Sequence, residues 1–411
     1  FLAMRRPPGG RKSICIVSMS SIGRDARVLR QVKYLSGRYD LSVIGYEPGP
    51  NLPGARHSIH WKPVLNLPDP HQPNLAAALR AGEWKNLRIR QRTVNALYLF
   101  FPALHPFWFR GQPHYRQAWE LTENTVCDAY HANDWVTLPL AARAAAKNKA
   151  ALVLDLHEYA PLQYEHRPGW WIQKRLVTHV LRRYAPHVDA SITVCEPIAK
   201  RYRDEFGLDP VVIMNCPEPA AVAPHATDPR NIRLVHHGIA SPARHPEIMI
   251  ETIALCDPRY SLHLMFLEND YVPELKRLAH RKAPGRVFFH DPVPPEDITQ
   301  TIARFDVGFF PIPPVNYNYH ACLPNKFFEF VCAGLAVAIG PSPAMAELVT
   351  RHGFGVISPS FDPRDIAHLL NQTTTETWES MRHAASSAAR TFNARNEMGK
   401  LLKLYERVFS Q

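Results

Sequence analysis

Twice along its 411 residues the chain runs through the same alternation of apolar strand and amphipathic helix, with a proline-rich segment between the two runs. The first run opens with a continuous apolar strand over 13–18, a loop over 19–24 and a helix over 25–36. Strands follow at 41–46, 129–132, 151–155, 190–194 and 211–214, with a helix over 136–147. Segment 217–231 carries Pro217, Pro219, Pro224 and Pro229 among alanines and reads as a linker. The pattern then restarts with strands at 232–236, 262–267, 287–290 and 307–312. Helices at 246–255, 273–281 and 296–304 separate them. Strands that are apolar on both faces and spaced by helices predict parallel, doubly wound sheets. The fold class is therefore α/β: two Rossmann-like domains facing each other across a cleft between the carboxyl ends of their strands, where such folds bind ligands. The expected boundaries are 13–216 for the first domain, 217–231 for the linker and 232–390 for the second domain. A C-terminal helix within 391–411 is positioned to pack back on the first. The length supports two domains of roughly 200 residues each.

Composition narrows the class. The longest apolar run, 94–109, is interrupted by Asn95, Pro102, His105 and Pro106, so it does not read as a membrane span. Residues 1–11 read as an expression remnant joined to a flexible basic tail, with no signal peptide. The seven cysteines are scattered and form no C-x-x-C pair, which suits reduced thiols in a cytoplasmic protein and no zinc site. Charge is lopsided. Residues 1–216 hold 29 Lys and Arg against 17 Asp and Glu, whereas the remainder holds 19 against 20. Such a field points to an anionic partner for the first half: a phospholipid surface, a phosphorylated acceptor or nucleic acid.

One segment carries a chemical signal of its own. Leu323-Pro324-Asn325-Lys326-Phe327-Phe328-Glu329 reads as the start of a short helix that ends before Gly334 and leads into a buried strand at 335–340. Upstream lie the strand at 307–312 and a polar loop. A helix N-terminus after such a loop presents unpaired N–H groups and the positive end of the helix dipole, where a phosphate can sit. Lys326 adds a full charge. Glu329, one turn on, can accept hydrogen bonds from a vicinal diol such as a ribose. The alternative is an ordinary solvent-exposed i,i+3 pair.

With both halves in view, the chain resembles the retaining family 4 glycosyltransferases of the GT-B fold over nearly its whole length. The resemblance rests on Asp25-Ala26-Arg27-Val28, on Asp128-Ala129-Tyr130-His131-Ala132-Asn133-Asp134, on Leu154-Asp155-Leu156-His157-Glu158 and on Ile192-Thr193-Val194-Cys195-Glu196. Met214-Asn215-Cys216-Pro217, Val235-His236-His237-Gly238 with Arg244, and the 323–329 segment with Ala333-Gly334 continue it in order. It implies that Arg244 and Lys326 bind a donor diphosphate and stabilise the leaving group as charge develops. It also implies that Glu329 holds ribose hydroxyls, that Gly238 lets the backbone approach the phosphates, and that Leu323 and Asn325 belong to the same donor motif. His157 is expected at the cleft-facing end of its strand, hydrogen-bonding the sugar or positioning an acceptor hydroxyl, with a structural histidine as the alternative. Glu158 is expected to be structural or acceptor-side. Gly23, Arg24 and Asp25 form the first loop and are candidates for acceptor or diphosphate contact.

Two positions depart from the family pattern. Ala321 stands where many members have a first glutamate, whose role can pass to His320, Cys322 or backbone amides. Ile250 stands where a lysine often follows the phosphate arginine, leaving Lys326 to supply that charge. No residue stands out as a nucleophile, and the retaining mechanism implied by the resemblance needs none. No D-x-D motif suggests a manganese site, so no cofactor and no metal are expected. Two basic aromatic stretches, 84–92 and 170–175 with Arg182 and Arg183, suit an anionic membrane surface, or else helices with one buried tryptophan. No nucleic-acid motif accompanies the charge. The expected activity is hexosyl transfer with retention from a nucleotide-sugar, a UDP-sugar first, to a lipid-linked or polysaccharide acceptor, peripherally at the cytoplasmic membrane face. The alternatives are a nucleotide-sugar epimerase and a non-catalytic nucleotide-sugar-binding protein. A dinucleotide dehydrogenase is disfavoured, because no G-x-G-x-x-G follows any strand.

Overall fold

The computed structural model describes residues 10–46, 59–64, 101–220, 225–321 and 323–410. The chain divides into two compact units, residues 1–212 with 400–411 and residues 213–399. The segment read as a linker, 217–231, thus counts with unit 2.

Unit 1 holds a seven-stranded sheet of β1 (Ser13–Ser21), β2 (Asp40–Tyr46), β3 (Ile59–Val64), β4 (Ala129–Asn133), β5 (Ala151–Leu156), β6 (Ala190–Thr193) and β7 (Val211–Val212), in the order β3-β2-β1-β4-β5-β6-β7. Every pairing is parallel. Unit 2 repeats the design with β8 (Ile232–Ile239), β9 (Tyr260–Leu267), β10 (Val287–Phe289), β11 (Val307–Phe310), β12 (Ala336–Ile339) and β13 (Gly355–Ile357), ordered β10-β9-β8-β11-β12-β13 and again parallel throughout. In each sheet the strand order reverses once, beside β1 in unit 1 and beside β8 in unit 2. Such switch points open a crevice at the carboxyl ends of the two strands concerned.

The expected strands are all present, and β3 and β13 are additions. β3 contains Pro63, which weakens a strand reading and is tolerated here on the outermost strand of the sheet. Several helix boundaries move. The first helix, α1, spans Ala26–Leu35, because the Asp25 carboxylate caps it by accepting from the N–H groups of Arg27 and Val28 at 3.1 Å each. The helix expected at 296–304 shortens to Ile298–Ile302. The last helix lies within the expected 391–411, from Ala394 to Val408, and passes from unit 2 into unit 1. In unit 1 its Tyr405 stacks with His131, ring centroids 6.1 Å apart.

The helix Asn325–Cys332 forms as read, except that Pro324 is its extended N-cap and not part of its first turn. Its C-terminus closes with the N–H groups of Gly334 and Leu335 donating to the carbonyls of Val331 and Phe330 at 3.0 Å each. Its packing on β11 depends on Gly308, where a Cβ would lie 2.1 Å from Phe330 Cγ. The missing side chain lets the helix settle onto the sheet and sets the position of its N-terminus.

Candidate functional site

At the carboxyl end of β8 the chain turns through Gly238, whose φ of 114° is costly for any residue with a Cβ. A Cβ there would lie 2.8 Å from Lys326 Nζ. The ammonium therefore rests against the Gly238 backbone, and it also lies 5.8 Å from the centre of the Phe310 ring at the end of β11. Arg244 ends a short 3-10 turn after β8 (Pro242–Arg244). Its Nε donates to the Tyr319 hydroxyl at 3.2 Å, and its guanidinium sits 5.8 Å from that ring centre. Burial pushes the pKa of His236 well below its usual value, and the nearby charge of Lys326, with that of Arg244, adds to the effect. His236 is held neutral, with Nδ1 2.8 Å from the Phe309 carbonyl oxygen.

Glu329 is only 9% exposed, and its Oε2 lies 3.2 Å from His237 Nε2, which makes no hydrogen bond there. The Asn325 side chain is exposed at the helix start and Leu323 is buried just ahead of it. Gly238, Lys326, Glu329 and Arg244 are thus assembled around one switch point, two cations and one carboxylate beside a helix N-terminus. His237 and Tyr319 were missed in the sequence. Strand alternation could have flagged His237, but nothing local marks Tyr319 as the partner of Arg244.

The two departures from the family pattern are both buried. Ile250 lies in the core of the helix Glu247–Leu255, and Ala321 is 4% exposed. His320 is exposed, and Cys322 lies outside the described residues.

In unit 1 the corresponding end of the sheet is built around Asp155, wholly buried at the end of β5. Arg27 grips it with two bonds, Nε to Oδ2 at 2.6 Å and a terminal nitrogen to Oδ1 at 2.7 Å. Gln31 donates to Oδ2 at 2.5 Å, and His157 Nε2 lies 3.3 Å from the same oxygen. Burial alone would raise the pKa of Asp155. The Arg27 guanidinium, then His157 and the bonds from His131 and His157, outweigh it and hold the carboxyl well below the usual range.

His157 is the opposite case. Burial opposes its charge, but Asp134 at 3.4 Å from Nδ1 and Asp155 on the other side overcome this and raise its pKa to about 9. At neutral pH it is an imidazolium clamped between two carboxylates, able to donate a proton in a hydrogen bond and unsuited to act as a base. Asp134 itself adopts a left-handed backbone with φ 63°, a strained position of the kind that clusters at functional sites. Its oxygen accepts from the His157 N–H at 3.1 Å. Gly23 is exposed in the turn Ile22–Arg24, and Asp25 is committed to capping α1 and to the Ser20 hydroxyl at 2.7 Å. Glu158 is exposed.

Of the basic aromatic stretches, 84–92 lies outside the described residues. In the other, Trp170 is buried and donates to the Pro161 carbonyl at 3.1 Å, while Trp171 is 60% exposed. Lys174, Arg175, Arg182 and Arg183 on the same helix (Trp170–Tyr184) are exposed. Among the described residues no helix is long and apolar enough to cross a membrane, and none of the His, Cys, Asp and Glu clusters has three members able to hold a metal.

Residues 26–219 match the sequence family described as Glycosyltransferase Family 4. In structure the chain is similar to HepE from Anabaena, solved with UDP and glucose, with a TM-score of 0.66 at 17% identity over 96% of this chain and 99% of that one. It is similar to sucrose-phosphate synthase from Thermosynechococcus elongatus, with a TM-score of 0.66 at 14% identity over 97% and 100%. The trehalose 6-phosphate synthase from Burkholderia multivorans gives 0.62 at 11% identity over 98% and 99%. Among curated proteins none matches. The fold is GT-B, two Rossmann-like domains each with its own parallel sheet. The family 4 match lies almost wholly in the first unit and spans just under half of the chain.

Proposed function

We propose that the chain is a retaining glycosyltransferase that takes a hexosyl group from a UDP-sugar. The observation that carries the reading is the contact of Lys326 Nζ with the Gly238 backbone at the N-terminus of Asn325–Cys332, with Glu329 one turn further on. Lys326 and Arg244 neutralise the diphosphate and stabilise it as it leaves, the role a metal ion fills in other transferases, so transfer needs no metal. Glu329 accepts the ribose hydroxyls. In a same-face displacement the departing phosphate oxygen takes the acceptor proton, so no protein base is required. The imidazolium of His157 fits a hydrogen-bond donor and positioning group there. HepE, which shares the fold, has been solved with UDP-glucose, which supports UDP as the first nucleotide to test.

The acceptor is lipid-linked or a polysaccharide, met at the cytoplasmic membrane face. Trp171 with Lys174, Arg175, Arg182 and Arg183 would engage anionic headgroups. Ala321, in place of a glutamate expected to touch the donor sugar, favours a second reading, a nucleotide-sugar-binding protein without turnover.

Thermal unfolding of the full chain with a panel of nucleotides and nucleotide-sugars tests the donor site. A compound at 100 times its Kd adds about 2.7 kcal/mol of apparent stability. The expected result is a shift with UDP and one UDP-sugar that is lost in Glu329→Ala and Arg244→Ala. A shift with no nucleotide would overturn the reading. Binding without transfer or hydrolysis in the presence of acceptors would select the non-catalytic alternative.

A further inference from the structure

Unit 1 contains a cavity of about 290 Å³. It lies where the loop after β4, the turn Ala160–Leu162 and the start of the helix Trp170–Tyr184 converge. Its polar lining is Asp134, Glu158, Gln163 and Gln173, and its aromatic lining is Trp135, Tyr164 and Trp170. The volume is just below the roughly 300–1,000 Å³ typical of small-molecule sites, which suits one sugar ring more than an extended chain.

The chemistry of the lining is selective. Trp135 and Tyr164 offer flat apolar faces for the C–H face of a pyranose. Carboxylates accept hydrogen bonds from hydroxyls, and the two glutamine amides both donate and accept. None of the lining residues is a lysine or arginine. Arg167 places its guanidinium 4.4 Å from the Tyr164 ring centre, but it is not part of the lining. A phosphate group in this cavity would meet the Glu158 carboxylate, the Asp134 carboxylate that is paired with His157, and no lining cation; like-charge juxtaposition is the usual means of rejecting a wrong ligand. Asp134 also bridges the cavity to the imidazolium of His157, 3.4 Å away.

We infer that this cavity seats the terminal unit of the acceptor and that this unit is an uncharged saccharide, with phosphorylated sugars excluded. The inference rests on the glycosyltransferase reading for the word acceptor, and on the cavity alone for the ligand class. It also separates two roles that bulk charge confuses: no lysine or arginine is among the cavity's lining residues, so none of the lining side chains is a cation that would hold a phosphorylated acceptor.

Tryptophan fluorescence of the full chain, titrated with neutral methyl glycosides and disaccharides and with matching sugar phosphates, tests it directly, because Trp135 and Trp170 line the cavity. At least one neutral saccharide should bind at least tenfold more tightly than its phosphorylated counterpart. Tyr164→Ala and Gln173→Ala should each weaken it about tenfold, while the thermal shift with UDP stays as in the wild type and shows that the fold is intact. Glu158→Lys should narrow or reverse the discrimination against the sugar phosphate, a gain that misfolding cannot produce. Sugar phosphates binding as well as neutral saccharides in the wild type would overturn the inference, as would saccharide binding indifferent to all three substitutions. A UDP shift with no saccharide binding overturns the cavity assignment alone. Saccharide binding that obeys these substitutions with no nucleotide shift upholds it and removes the donor reading instead.

Discussion

The two units present the same kind of sheet end and use charge there in opposite ways. In unit 1, whose residues 1–212 hold 29 basic residues against 17 acidic, the carboxyl end is organised around carboxylates: Asp155 and Asp134 with Arg27 and His157 set between or against them. In unit 2, where acidic and basic residues nearly balance, the same end gathers two cations, packed against the Gly238 backbone, Phe310 and the Tyr319 hydroxyl. The net charge of a domain is therefore a poor guide to the sign of its site. Long-range field and local chemistry are set by different residues: the first by exposed side chains, the second by a few half-buried groups and the backbone dipoles near them.

The sharpest way to break this comparison is to remove one cation from each unit. Arg27→Met leaves Asp155 wholly buried without its bidentate partner. Losing one partner of a buried pair costs about 3–5 kcal/mol, and urea unfolding should show that loss in the transition of unit 1. A loss below about 1 kcal/mol would mean that Asp155 is not held as an ion pair in solution. Lys326→Met should do the reverse. Without ligand its stability should stay within about 0.5 kcal/mol of wild type, as for a half-exposed position away from the core. With UDP at saturating concentration it should forfeit most of a stabilisation of about 2.7 kcal/mol. If the unliganded protein instead loses several kcal/mol, Lys326 holds the fold and the contrast between the units fails.

The sequence made the architecture legible because parallel strands buried on both faces leave long apolar runs, and the stretches between them carry helical spacing. The restart after the prolines identified two sheets. The edges were less legible: β3 holds a proline, and β13, Gly355–Ile357, is too short and too glycine-rich to stand out. Within the site, the pieces lying on one continuous segment were readable, since Lys326 and Glu329 are a turn apart on one helix. What depended on tertiary contact was not. That Asp25 is spent on a cap, that Tyr319 holds Arg244, and that His237 faces Glu329 follow from packing across 75 or more residues in the last two cases and could not be seen in any window of sequence. The paired tryptophans show the same limit: Trp170 went to the core and Trp171 to the surface.

His157 sharpens the comparison from the side of pH, with the smallest of the three effects. In the folded chain its pKa is raised to about 9, and in the unfolded chain it returns to about 6.5. Between these values the folded state binds the extra proton. Stability from this group is therefore complete below pH 6.5 and is lost as pH rises through 9. Because its partner Asp134 is reached by water, the span amounts to about 2 kcal/mol and not the full value of the shift. Buried thiols such as Cys195, its pKa pushed up to about 11 by burial, bias stability in the same direction above pH 8.5, so the wild-type profile alone does not isolate the histidine. The difference between wild type and His157→Gln does: the stability gap should be widest near pH 6 and close as pH 9 is passed. A gap independent of pH would show that His157 is neutral in the folded chain. The carboxylates beside it would then lack the cation that balances them, and unit 1 would no longer be the paired counterpart of unit 2.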